Sequence, residues 1–74
     1  YLSTSDVVRE TGVTLRQLYY WESLGMFEPK YEKFGLRMYR RYRMKDVELI
    51  KNIVKYLKEG FNLQTAARKA KDES

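Results

Sequence analysis

The chain has 74 residues, which is the length of one small domain. It contains no cysteine and no histidine, so disulfide bonds and thiol catalysis are excluded, and a zinc or copper site would lack its usual ligands. The absence of histidine also removes the most common general base. We therefore expect no enzyme activity, with no catalytic residue, cofactor or metal ion.

Lysine and arginine number 15 against 10 acidic residues, for a net charge of +5. Such an excess is typical of proteins that bind nucleic acid or an anionic membrane surface, although a solvated basic surface without a partner is also compatible with it. No apolar segment is long enough to span a membrane and no signal peptide is visible, so we expect no membrane partner. Because the chain begins at Tyr1, we expect it to be part of a longer protein.

Two short helices are predicted at the start of the chain. Ser3 and Asp6 form a capping-box pattern, and Gly12 is suited to end that helix. A second capping box spans residues 14–17, and Gly25 ends the second helix. Apolar residues recur there with helical spacing: Leu15, Leu18, Trp21 and Leu24. We expect Leu15, Leu18 and Trp21 to point inward. The pair predicts a helix-turn-helix over about residues 3–25, with an ordinary helical hairpin as the alternative.

The segment over about residues 28–42 predicts a β-hairpin, called the wing below. Pro29 forbids a helix, and the pattern suits strands at about 28–32 and 36–42 with a turn at 33–35. An arginine-rich strand repels itself unless it meets anions such as phosphates. The alternative leaves the arginines in solvent and places Met38 and Tyr42 in the core.

Alternation of side chains along the second strand does not determine which face of the wing contacts DNA. It places Arg37, Tyr39 and Arg41 on one face, and Met38 and Arg40 on the other together with Tyr42. Both faces carry arginine, so the pattern does not choose between them.

Two further helices are predicted over about residues 44–71, which makes the fold mainly helical: four helices with a two-stranded wing between the second and third. The third helix runs over about residues 44–59 with Gly60 as its C-cap, and Asn62 caps the fourth. The polar end, residues 71–74, is expected to fray.

The second helix is the best candidate for reading DNA bases. Arginine can donate two hydrogen bonds to guanine, glutamine can pair with adenine, and a tyrosine hydroxyl more often reaches phosphate. With the basic wing, the predicted DNA-binding residues are Thr14, Arg16, Gln17, Tyr20, Lys33, Arg37, Tyr39, Arg40 and Arg41.

Several segments together resemble the MerR family of bacterial transcription regulators. Residues 2–18 resemble its helix-turn-helix, Tyr20-Trp21-Glu22 its aromatic-aromatic-acid motif, and residues 24–29 its link into the wing. Residues 40–47 resemble the closing wing strand and the start of the third helix, and residues 57–63 the link to the fourth. The resemblance covers nearly the whole chain.

This resemblance implies double-stranded promoter DNA as the partner, with contacts from Arg16, Gln17, Tyr20 and the wing arginines. Full-length members carry a dimerising helix and an effector domain that we expect this chain to lack, so it would be a monomer and the whole protein a homodimer. Family dimers bind palindromic promoters and distort them so that RNA polymerase can engage. A cytoplasmic location follows for such a regulator.

Three departures from the family pattern bear on the site. Tyr19 stands where arginine is usual, so an ion pair to Glu22 or another nearby acid is expected to be missing. Arg43 stands where a serine or threonine usually caps the third helix. The wing is slightly long, which blurs the register of Arg37 against Arg40.

A protein-interaction module of the same fold is the alternative function. The aromatic side chains of the wing would then form a hydrophobic patch, consisting of Tyr31, Phe34 and Tyr39. Salt separates the two functions, because DNA binding weakens steeply with salt and an apolar interface does not.

Overall fold

The computed structural model describes residues 1–73, which form four α-helices and one antiparallel β-hairpin. In chain order the elements are α1 (Thr4–Thr11), α2 (Leu15–Ser23), β1 (Lys30–Phe34), β2 (Arg37–Arg41), α3 (Met44–Lys58) and α4 (Leu63–Glu73). The wing lies between α2 and α3, so the mainly helical winged helix-turn-helix predicted from the sequence is confirmed. None of the helices described here has the length and apolar character needed to cross a membrane.

Both predicted capping boxes form at the starts of α1 and α2. The Ser3 hydroxyl accepts a hydrogen bond from the Asp6 N–H at 3.2 Å, and the Asp6 carboxylate accepts one from the Ser3 N–H at 3.1 Å. Thr14 and Gln17 repeat this exchange, with both bonds at 3.0 Å. These bonds satisfy backbone N–H groups that the first helical turn leaves unpaired. Gly12 ends α1 at a φ of 77°, a left-handed conformation that favours glycine.

The core forms where the helices meet, and Leu18 and Trp21 are the α2 residues buried in it. Leu15 is 48% exposed and Leu24 is 51% exposed, so the expectation that Leu15 points inward is wrong. At about 100° per residue, Leu15 and Trp21 lie about 120° apart around the helix, and one narrow inner face cannot hold both. Leu24 follows the last residue of α2 as its C-cap.

The wing strands are shifted from the predicted positions. They are Lys30–Phe34 and Arg37–Arg41 rather than 28–32 and 36–42, and the turn is Gly35-Leu36 rather than 33–35. A two-residue hairpin turn requires a positive φ, and Gly35 supplies it at 63°. The turn therefore centres on Gly35-Leu36, and Phe34 pairs with Arg37 across it.

Tyr42, directly after β2, joins the wing to the core. Its side chain is buried and its ring lies 6.1 Å from the ring of Phe27. Its backbone exchanges two hydrogen bonds with Leu2, at 2.7 and 2.8 Å. Met38 stays exposed, so only Tyr42 of the two candidate core residues enters the core.

The last two helices pack mainly against each other, and α3 also packs against α1. Arg43 makes no side-chain cap for α3, but the buried Asp46 carboxylate accepts hydrogen bonds from the Arg43 N–H at 3.0 Å and from its Nε at 3.3 Å. Asn62 caps α4 as predicted, by accepting a hydrogen bond from the Thr65 N–H. The helix continues through Glu73 over most of the segment expected to fray, whereas Ser74 lies outside the described residues.

Candidate nucleic-acid interface

Arg16 and Tyr20 project from the exposed face of α2. They are four residues apart, so they lie on the same side of the helix, one turn from each other. Arg16 makes no hydrogen bond or ion pair with any described residue. An unpaired guanidinium on an exposed helix is free to donate two hydrogen bonds to the major-groove edge of guanine.

Thr14 and Gln17, also predicted to contact DNA, are engaged in capping α2. The Gln17 Oε1 accepts hydrogen bonds from the Thr14 N–H at 3.0 Å and from the Thr14 hydroxyl at 3.3 Å. A bidentate pair with adenine uses both the oxygen and the nitrogen of the amide. Gln17 must therefore release the cap before it can pair with adenine in that way.

Glu22, near the end of α2, is bound by two side chains of the wing. Its Oε1 accepts a hydrogen bond from Arg40 Nε at 2.9 Å, and its Oε2 accepts one from the Tyr31 hydroxyl at 3.0 Å. Both bonds favour the protonated donor, so they raise the pKa of the Arg40 guanidinium and of the Tyr31 hydroxyl. One carboxylate thus connects α2 to both strands of the wing.

Tyr19 contributes to the same connection. The Arg40 guanidinium lies 4.4 Å from the centre of the Tyr19 ring and 5.7 Å from that of Tyr31, within the range of a cation–π interaction. We expected tyrosine at this position to leave an ion pair to Glu22 or another nearby acid missing, but Glu22 does form an ion pair, with Arg40. The wing supplies the cation, and the Tyr19 ring packs against it.

The side chains of the wing divide between two faces. Arg40 faces α2, and strand alternation places Arg37 and Arg41 on the opposite face. Arg41 forms an ion pair with Glu32 at 3.3 Å, whereas Lys33 and Arg37 make none within residues 1–73. The four predicted wing cations therefore differ: two are paired within the domain and two, near the turn, remain available to an anion.

The model of the MerR HTH family of regulatory proteins matches residues 2–73. The chain belongs to the MerR family. The resemblance seen in the sequence is thereby confirmed, and family membership together with the exposed Arg16 of α2 suggests a DNA-binding regulator. Among curated proteins, no match to this chain was found.

The MerR-type domain places one more cation beside α2 that the sequence analysis did not single out. Lys58, at the end of α3, lines a groove of about 280 Å³ together with Gln17, Trp21 and Leu57. No neighbouring residue in the sequence indicates this position, because it depends on tertiary packing. Within residues 1–73, no group of three or more side chains is placed to hold a metal ion.

Proposed function

We propose that this MerR-family chain binds double-stranded promoter DNA sequence-specifically, as the DNA-binding domain of a bacterial transcription regulator. In this proposal α2 lies in the major groove and the wing contacts the flanking backbone. The observation that carries it is the unpaired Arg16 beside Tyr20 on an exposed helix face, next to a basic wing that Glu22 holds against the same helix.

Each predicted residue has a distinct role in this proposal. Arg16 reads a guanine, Tyr20 contacts a phosphate, and Gln17 reads a base after releasing Thr14. The remaining predicted residues act through the wing: Lys33, Arg37, Tyr39 and Arg41 contact the backbone, and Arg40 orients the hairpin.

The proposed regulator acts in the bacterial cytoplasm. The full-length protein is a homodimer in this proposal, whereas this chain alone is a monomer. Two copies would occupy half-sites separated by about one helical turn, because the two-fold symmetry of the protein is matched by a palindromic site. Distortion of the bound promoter would then let RNA polymerase engage it. We propose no catalytic activity and no cofactor.

Selection from a random duplex library, followed by fluorescence anisotropy with the enriched sequence, tests this function. We expect one enriched motif and an affinity that falls steeply with salt, by about 0.9 in the logarithmic slope for each phosphate that the chain neutralises. Failure to enrich any sequence, together with salt-insensitive weak binding, would overturn the proposal.

A protein-interaction module is the second candidate, and one observation favours it. Tyr31, Phe34 and Tyr39 of the wing are each at least two-fifths exposed, and exposed apolar clusters often mark binding surfaces. This function predicts a protein partner whose binding to the chain changes little with salt. Steep salt dependence and a preferred DNA sequence would exclude it as the main function.

A further inference from the structure

Leu15, the first residue of α2, is a large apolar side chain that the core does not take up. It is half exposed, and it lies directly beside Arg16. Exposed leucines are common on protein surfaces, so exposure alone indicates no partner. The position is more informative, because the N-terminal residues of a helix that lies in the major groove are those that contact base edges. Leu15 therefore lies where a side chain of α2 would meet bases.

An open hollow lies between Leu15 and α1. It has a volume of about 270 Å³, and it is lined by Thr4, Ser5, Val8, Arg9 and Leu15. Arg9 is engaged in an ion pair with Asp6 at 2.6 Å. Leu15 and Val8 supply the apolar side chains of the lining, so the hollow suits a small apolar group.

Thymine presents such an apolar group in double-stranded DNA. Of the four bases, only thymine carries a methyl group in the major groove, at C5, and apolar side chains recognise it by contact. This methyl group lies towards the backbone edge of the groove. In the proposed complex α2 lies in the groove and α1 crosses the backbone, so the hollow between these two helices faces that edge.

We propose that Leu15 contacts the C5-methyl group of a thymine in the major groove, close to the base pair that Arg16 reads. The inference rests on the proposed DNA-binding function and adds a residue that determines sequence preference. Consecutive Cα atoms are about 3.8 Å apart and consecutive base pairs about 3.4 Å apart, so the two side chains reach base pairs within about two steps of each other. Arg16 selects its base by hydrogen bonds, and Leu15 selects thymine by apolar contact.

Replacement of thymine by uracil tests the inference, because it deletes the methyl group and leaves the hydrogen-bonding groups of the base unchanged. Each thymine of the selected duplex is replaced in turn by uracil, and affinity is measured by fluorescence anisotropy. We expect uracil to weaken binding about fourfold at one position near the pair where Arg16→Ala changes the preference, as for the loss of one buried carbon. Leu15→Ala should weaken binding to the unmodified duplex by about three- to tenfold and should no longer respond to uracil there.

Leu24→Ala is the matched control, because it makes the same change at another half-exposed leucine, about 14 Å further along the helix axis. It should bind like the unaltered chain and keep the response to uracil. The inference is wrong if no thymine near the Arg16-dependent pair responds to uracil, if Leu15→Ala retains full affinity, or if this variant loses affinity but still responds. None of these results affects the proposed function, which fails only if the chain selects no DNA sequence.

Discussion

Arg40 of β2 and Glu22 of α2 lie eighteen residues apart in the chain, and a 2.9 Å hydrogen bond from Nε to Oε1 joins them. The carboxylate also accepts the Tyr31 hydroxyl, and the guanidinium packs on the Tyr19 ring. The Arg40 side chain is one-third exposed, so solvent screening limits its contribution to stability to about 1 kcal/mol or less. Its main consequence is geometric, because it joins the wing directly to α2.

Glu22→Gln should therefore affect DNA binding more than stability. The substitution keeps the size of the side chain but removes the charge that holds Arg40, so we expect a loss of unfolding free energy below about 1 kcal/mol and a several-fold loss of affinity. Urea denaturation and anisotropy titration measure the two effects. Glu32→Gln is the control, because it removes the same charge from a pair within the wing. Equal affinities of the two variants would contradict the positioning role.

Arg16→Ala should weaken binding to the selected duplex by about 1–3 kcal/mol and relax the preference at one base pair. The reason is that the substitution removes an unpaired guanidinium on the exposed face of α2, which can make a bidentate contact with guanine. Competition titrations with duplexes altered at single positions measure both effects. Arg68→Ala removes the same charge from an exposed position on α4 and should leave base preference unchanged. An Arg16→Ala chain with unaltered preference would exclude its base-reading role.

Arg37→Ala should weaken binding to all sequences about equally, because a phosphate contact carries no base information. The logarithmic salt slope should fall by about 0.9, which corresponds to one phosphate. Titrations at several salt concentrations measure it. Arg41→Ala provides the comparison. Because Arg41 is already paired with Glu32, its substitution should reduce the salt slope less than Arg37→Ala does. An unchanged slope in Arg37→Ala would show that this side chain does not meet the backbone.

Tyr42 should make the domain sensitive to alkaline pH. Burial raises the pKa of its hydroxyl to about 12, with a smaller opposing effect of Thr4. Since the folded state holds the proton more tightly than the unfolded state, this stabilisation is complete below about pH 10 and is lost as pH rises towards 12. The unfolding free energy, measured with urea at a series of pH values, should fall across that range.

Tyr42→Phe isolates this effect. The Tyr42 hydroxyl has no hydrogen-bond partner among the described residues, so we expect stability at neutral pH to change by less than about 1 kcal/mol. The decline above pH 10 should become shallower in this variant. Tyr20→Phe, which removes an exposed hydroxyl, should retain the decline of the original chain. A Tyr42→Phe chain with an unchanged alkaline profile would contradict the assignment.

The helices and the family were predictable from the sequence because their signals are local. Each capping box acts over three residues, as Ser3 with Asp6 shows, and Gly12 ends a helix through its own backbone conformation. Helical spacing likewise predicted the buried Leu18 and Trp21. These features depend on neighbouring residues alone, so they can be recognised before the chain is folded.

Tertiary structure decided which charges remain available to a partner. Strand alternation predicted opposite faces for Arg37 and Arg40, but nothing local indicated that Arg40 binds Glu22 and that Arg37 has no ion pair within residues 1–73. The difference depends on strand register and on the angle at which the wing meets α2, and both are set by packing between distant segments, including Tyr42 against Phe27 and Leu2. A basic winged helix-turn-helix of the MerR family was predictable from the sequence, whereas only the folded arrangement separated the cations that are paired within the domain from Lys33 and Arg37, which have no ion pair within residues 1–73.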